Sequence, residues 1–215
     1  MKHMFAAVSA IALLVAGAAN AAQQASDQDR QFVKEALASG QAEVAAGRLA
    51  QAQGGSPAVR EFGRWMVTDH TLIGEMLQHR AKGAGIEAAS GQPPSGALDA
   101  LKPLHDREFD IRYVTMQVQD HEKAVALFQK QAQSGQNEAL KTLAQLATPA
   151  LGQHLAEAKE LSSLLYGTTT RVNESSVSSA APPATTGHTT TATGQPPMVK
   201  EMNKEGLERI EKEGK

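Results

Sequence analysis

Four side chains of the kinds that bind metal ions lie in stretches otherwise patterned as apolar helix faces: Glu43, His70, His121 and His154. Each interrupts a series of apolar residues that recur every three or four positions, the spacing of one α-helix face. A polar group buried in a helix bundle needs a partner there, and bundles build metal sites from such side chains on facing helices. The four residues therefore predict a polar layer able to bind one divalent transition metal such as zinc, iron or copper.

Three further carboxylates, Asp69, Asp120 and Glu157, are candidates to hydrogen-bond the second nitrogen of these imidazoles and so fix their tautomers. Neighbouring residues on a helix point about 100° apart, so Asp69 and His70 cannot both be directed at one ion. One of them is expected to face a neighbouring helix. Two interpretations remain open: a metal centre, or a hydrogen-bonded carboxylate–imidazole layer without metal that is structural or responds to pH.

Apolar periodicity and capping residues predict four long helices in two hairpins. Short glycine-containing turns join each pair, whereas a Gly/Pro/Ser-rich connection from Gly83 to Gly96 separates the pairs, with one helical turn at Leu98 to Leu101. Pro149 predicts a kink or break in the last helix. The expected fold is an all-α, up-down-up-down four-helix bundle. The predicted helices run from about Asp27 to Gln53, from Ser56-Pro57 to about Gly83, from beyond Pro103 to about Gln133, and from Asn137 to about Leu165.

The ends of the chain have compositions unlike the helical part. A short polar start, an apolar run over 5–16 and the small-x-small pattern Ala19-Asn20-Ala21 predict a cleaved signal peptide over 1–21. An uncleaved anchor is the alternative, and the shortness of the apolar run disfavours it. We expect the bundle over 22–166, a disordered Thr/Ser/Pro/Ala-rich linker over 167–198 and a charged tail, or short helix, over 199–215. Export would place the protein in the periplasm or outside the cell.

Composition and motifs exclude several classes of function. There is no cysteine, so no thiolate can bind a metal, and the 21 basic and 23 acidic residues give no basic excess for nucleic-acid binding. Carboxylate-bridged di-iron bundles use Glu-x-x-His motifs. The residues three positions before the three histidines are Val67, Val118 and Leu151, which disfavours di-iron oxidation and iron storage. No phosphate loop, G-x-S-x-G or H-E-x-x-H motif is present, so no residue set for nucleophilic catalysis is visible. Whether the protein is an enzyme stays open, and the residues favour a protein without enzymatic activity.

A set of residues between Asp27 and Leu165 forms a recognisable pattern, most specific at Met66 to His70. Its members are Phe32, Gly40, Glu43, Gly47 to Ala50, Phe62, Met66 to His70, Phe109, Asp110, Tyr113, Gln117, His121, Pro149, Leu151, His154 and Leu155. With these residues the chain resembles the domain of unknown function 4142 family. This resemblance implies export and a ferritin-like four-helix bundle, as in bacterial proteins often labelled predicted outer membrane proteins, with peripheral outer-membrane association compatible. It supplies no activity.

These observations favour an exported, non-enzymatic bundle that acts as an envelope or stress-related binding protein with a buried Glu/His layer. The alternative is a metal-binding protein that uses this layer, and a ferritin-like oxidoreductase is a third and weaker possibility. No substrate, protein partner or oligomeric state follows from the residues.

Overall fold

The computed structural model describes residues 25–87 and 95–175, with side chains described from 96 to 167 in the second range. The predicted signal peptide, the end of the linker beyond Ser175 and the charged tail lie outside these residues. The described part consists of helices and the connections between them, and the predicted all-α bundle is confirmed. Its helices are α1 Asp27–Gln53, α2 Pro57–Gly83, α3 Ser95–Leu101, α4 Asp106–Ser134 and α5 Glu138–Ser175.

Each predicted hairpin forms, since α1 packs chiefly on α2, and α4 on α5. Ser26 caps α1. Ser56, followed by Pro57 at the first helical position, caps α2, which begins where the sequence predicts. The two hairpins pack with α1 beside α4 and α2 beside α5. The four long helices therefore occupy the four corners of the bundle.

The direction of the second hairpin differs from the prediction. The start of α1 meets the end of α4, where the Gln28 side chain donates a hydrogen bond to the Ser134 hydroxyl at 3.1 Å. The end of α1 meets the start of α4, where the backbones of Gly54 and Asp106 form an isolated β-bridge. Helices α1 and α4 are thus antiparallel, and the order is up-down-down-up rather than up-down-up-down. The physical reason is the long connection after α2, which lets the chain return along the bundle before α4 begins.

Two buried aspartates fasten the turns of the hairpins to the rest of the bundle. The Asp110 carboxylate on α4 accepts hydrogen bonds from the amides of Gly55 and Ser56, at 2.9 and 2.8 Å, in the α1–α2 turn. At the other end, Asp29 on α1 accepts from the Gln131 side chain at 2.6 Å and from amides of the α4–α5 turn. These contacts fix the positions of the two hairpins relative to each other along the bundle axis. They thereby also fix the level at which buried polar residues of the two hairpins meet.

Glycines allow α1 and α2 to approach each other closely near the turn that joins them. A Cβ atom added to Gly47 would lie 2.6 Å from the Gly63 carbonyl oxygen, and one added to Gly63 would lie 2.7 Å from the Ala50 Cβ. Real Cβ atoms do not make such contacts, so both positions require glycine for the observed helix spacing.

The apolar core is divided into two clusters along the bundle axis. The lower cluster, on the side of the α4–α5 turn, contains Phe32 and Phe128, whose rings meet edge to face with centroids 5.0 Å apart. The upper cluster, on the side of the α1–α2 turn, contains Phe62, Phe109 and Tyr113. Four buried polar residues, Glu43 on α1, His70 on α2, His121 on α4 and His154 on α5, lie between the residues of the two clusters on their helices. The interior is therefore apolar, polar and apolar in succession.

Helix α5 is longer than the sequence indicates. It continues through Pro149, so of the two predicted outcomes, a kink or a break, the break does not occur, and Thr148 donates its hydroxyl to the Ala144 carbonyl at 2.7 Å. The helix also passes Leu165, its predicted end, and reaches Ser175, so the start of the predicted linker is helical. Contacts from α4 support this extension, since Arg107 donates to the Leu165 carbonyl at 2.7 Å.

Candidate metal centre

Three of the four predicted metal-binding side chains meet in the polar layer. His70 comes from α2, His121 from α4 and His154 from α5, and they are 6, 0 and 2% exposed. One ring nitrogen of each lies within 4.8 Å of those of the other two. The ring centroids are 5.4 to 5.5 Å apart in all three pairs. Three different helices thus direct imidazoles at one small region.

Hydrogen bonds on the outer side of two rings assign their tautomers. His121 Nδ1 lies 3.0 Å from the Gln117 carbonyl oxygen, which can only accept, so Nδ1 carries the proton and Nε2 keeps its lone pair. His154 Nε2 lies 2.8 Å from Asp69 Oδ2 and donates to it. His154 Nδ1 then has a lone pair as well, and it is buried without a hydrogen-bond partner among the described residues. A carbonyl or carboxylate behind the imidazole is the usual arrangement around a metal-binding histidine.

The third ring completes the set. His70 Nε2 lies 3.3 Å from His121 Nε2. Without a metal this contact is a hydrogen bond donated by His70, because His121 Nε2 is an acceptor. Two nitrogens that each bind a tetrahedral zinc at about 2.0–2.1 Å are themselves about 3.3–3.4 Å apart, so the same spacing also suits two ligands of one ion. The three donor atoms are therefore His70 Nε2, His121 Nε2 and His154 Nδ1.

Burial keeps His70 and His121 in the form that binds metal. Desolvation lowers the pKa of His70 well below its usual value, and the neighbouring imidazoles His121 and His154 lower it further. Desolvation, followed by His154, lowers the pKa of His121 to about 3. Both rings are neutral near pH 7, and a neutral imidazole is the metal ligand.

Glu43 lies outside this group of three. Its Oε2 accepts a hydrogen bond of 2.6 Å from the Gln117 side chain, one helical turn before His121. Burial raises the pKa of Glu43 to about 8, the Gln117 bond opposes this and the Asp120 charge adds to it. The Tyr113 hydroxyl and the Gln117 Oε1 are buried without hydrogen-bond partners among the described residues. Glu43 thus belongs to an adjoining polar group on α1 and α4.

The three carboxylates proposed as hydrogen-bond partners of the histidines have different positions. Asp69 takes this role with His154, so Asp69 and the adjacent His70 do face different helices. Asp120 instead pairs with the exposed Lys123 at 2.9 Å. Glu157 is half-buried, and in the described part of the chain neither it nor Asp120 hydrogen-bonds a histidine of the layer.

Gln117 is the residue of this region to which the sequence assigned no role. Its carbonyl orients His121, and its side chain holds Glu43. A spacing of four residues places Gln117 and His121 on the same helix face, one turn apart. The sequence signal that could have indicated this role is an amide side chain four residues before a histidine on the core-facing side of the helix.

Comparisons with known proteins agree with the motif-based resemblance. In the described residues, no helix combines the length and the apolar character needed to cross a membrane. A search of curated proteins and a search of solved structures each return no match. A protein family described as a domain of unknown function matches residues 14–161, more than half of the chain. The chain therefore belongs to this family, DUF4142.

Proposed function

We propose that this protein is a metal-binding helical bundle in which His70, His121 and His154 hold one divalent transition-metal ion. The observation that carries the proposal is the convergence of three imidazoles with donor atoms within 4.8 Å, inside an apolar core. Asp69 and the Gln117 carbonyl orient two of the rings from behind.

A metal-free hydrogen-bonded layer is the second candidate, and the 3.3 Å contact between His70 and His121 favours it. That layer leaves His154 Nδ1 buried and unpaired. An unsatisfied buried polar atom costs about 1–3 kcal/mol. A cation bound by all three nitrogens would satisfy this atom, which is why we favour the metal centre.

The ligand set indicates which ions to test. Imidazole nitrogen suits zinc, copper, iron and nickel, and three protein ligands with one remaining position are common at zinc sites. Glu43 would need to leave Gln117 to become a fourth ligand. We therefore use zinc as the principal test ion and expect one ion per chain.

The proposal extends to the ferritin-like class and to the envelope. A four-helix bundle with one long crossover is the connectivity of ferritin-like folds, and the up-down-down-up order has this single crossover. Export rests on the N-terminal sequence pattern. Mass spectrometry of protein isolated from the periplasm should give a chain that begins at Ala22, and a retained residue Met1 there would contradict cleavage.

Metal analysis and calorimetric titration of the purified full chain test the metal centre. We expect one zinc per chain and a higher melting temperature with zinc, both lost in His121→Leu. The matched control is His79→Leu, an exposed histidine on α2, which should bind zinc like the unmodified protein. Circular dichroism would show that His121→Leu remains folded, as expected for an apolar residue of similar size in the core. A chain without bound metal and without a zinc-dependent thermal shift would support the metal-free layer instead.

A further inference from the structure

A groove between α1 and α2 leads from the surface to one of the three histidines. Its volume is about 430 Å³, and residues of both helices line it, among them Gly40, Arg48, His70 and Gly74. His121 and His154 are not among the residues that line it. The cavity between α1, α3 and α4 contacts Glu43 but none of the three histidines. Of these two cavities, the groove is the one that reaches a proposed metal ligand.

His70 stands between the groove and the interior. On one side its Nε2 lies 3.3 Å from His121 Nε2. On the other side its Nδ1 is the ring atom nearest to Gly40, since a Cβ atom added to Gly40 would lie 4.0 Å from it. His70 is also the most exposed of the three histidines. One ring thus separates the groove from the other two imidazoles.

Two glycines keep the groove open beside this ring. Gly40 on α1 faces His70, and Gly74 follows His70 by one turn on α2, with nothing within 4 Å of a Cβ atom added there. Any larger side chain at either position would extend into the groove. Neither glycine is needed for close helix contact, unlike Gly47 and Gly63.

We propose that the α1–α2 groove is the route by which the metal ion enters and leaves, and that His70 is the first ligand it meets. This inference rests on the proposed metal centre. A hydrated divalent cation in the groove would meet a neutral imidazole, and displacement of that ring from His121 would let the ion pass to the three nitrogens. Gly40 leaves the space into which the ring can move.

Metal exchange kinetics test the route. Cobalt(II) gives a visible absorbance on binding nitrogen ligands, so stopped-flow mixing with the apo protein would give the association rate, and transfer to a chelator the dissociation rate. Gly40→Leu should slow both rates by about tenfold or more and leave Kd nearly unchanged, because a barrier on the route acts equally on entry and exit. Gly74→Leu, on the opposite wall, should act in the same direction.

Two controls make the result specific. Gly152→Leu changes a glycine of α5 that lies outside the groove, with open space around it, and should exchange cobalt at the unmodified rate. Ala124→Leu narrows the cavity between α1, α3 and α4 and should also have no effect. Leucine is a better helix former than glycine, so the glycine variants are expected to fold.

The possible failures are distinguishable. Unchanged rates in both Gly40→Leu and Gly74→Leu, or slow exchange in Ala124→Leu, would overturn the route while leaving the metal centre intact. A changed Kd with an unchanged association rate in Gly40→Leu would also overturn it, because the substitution would then act on the bound state. If the unmodified chain takes up no cobalt and no zinc, the proposed function itself fails, and the route with it.

Discussion

Replacement of Glu43 by glutamine should stabilise the metal-free protein, and the effect should grow as the pH rises. Glu43 is a buried carboxyl beside Gln117, and burial raises its pKa from 4.5 to about 8. A raised pKa means that the folded state holds the proton more tightly than the unfolded state. The contribution of Glu43 to stability is therefore fully present below pH 4.5 and is lost as the pH rises through about 8.

The magnitude follows from the difference between the two pKa values. The interval from 4.5 to about 8 corresponds to about 5 kcal/mol at about 1.4 kcal/mol per pH unit, which is the upper limit of the effect above pH 8. At pH 7 the same arithmetic gives at most about 3 kcal/mol. The glutamine side chain of Glu43→Gln has nearly the same shape as glutamate and cannot ionise, and its oxygen can still accept from Gln117 Nε2.

Chemical denaturation of the apo protein at several pH values, in the presence of a chelator, would measure this difference. The free energy of unfolding of Glu43→Gln should exceed that of the unmodified protein increasingly between pH 5 and pH 8. Glu35→Gln, an exposed carboxyl on the same helix, is the matched control and should show no such trend. A difference between Glu43→Gln and the unmodified protein that does not change with pH would refute the assignment of a proton to buried Glu43.

The remaining predictions concern the histidines and the close contact of α1 with α2. The pKa of His121 is lowered to about 3, so its contribution to stability is present above pH 6.5 and is lost on acidification. Denaturation in the Glu43→Gln background, which removes the opposite slope, should show a loss of at least about 2 kcal/mol between pH 6.5 and pH 5, because His70, whose pKa is lowered as well, adds to the effect of His121; a flat profile would contradict this. Asp69→Asn should weaken zinc binding by about 10- to 100-fold in calorimetry with the fold retained, and unchanged affinity would show that the carboxylate does not orient its imidazole. Gly47→Ala should destabilise the protein by about 1–3 kcal/mol because its Cβ would meet backbone, whereas Gly152→Ala, in open space, should stabilise it by up to about 1 kcal/mol; equal effects would refute the close contact.

Helix positions follow closely from local sequence signals. The start of α1 at Asp27 after Ser26 and the start of α2 at Pro57 after Ser56 agree with the capping residues. These signals act between residues that are near in sequence, so they can be read without the tertiary structure. The end of α5 has no such signal: the helix passes its predicted end at Leu165, where Arg107 of α4 contacts it, and reaches Ser175.

The arrangement of the two hairpins could not be predicted in the same way. It depends on contacts between distant residues, such as those of Asp110 with the amides of Gly55 and Ser56. A long connection is compatible with α4 starting at either end of the bundle, and the sequence gives no local preference. The predicted direction of the second hairpin relative to the first was therefore wrong, although each hairpin by itself was predicted correctly.

The histidine layer was predictable in part for the same reason. Apolar periodicity predicted that the four residues lie on the core-facing sides of their helices, and His70, His121 and His154 do meet. Glu43 lies close to this level, but its carboxyl bonds to Gln117. Which partner a buried carboxyl takes depends on the register between the hairpins, which only the tertiary contacts determine.

The position of the layer bears on the reason for its presence. Apolar clusters lie above and below it, so apolar side chains at His70, His121 and His154 would give one continuous core. Replacement of buried polar groups by well-packed apolar residues is often neutral or stabilising. A metal-free layer is thus a local departure from the pattern that stabilises the rest of the bundle, and such departures are expected at functional sites. Metal binding to the folded state alone would reverse this penalty, because the added stability grows with the ratio of free ion to Kd. The melting temperature of the bundle should then report the metal concentration around it.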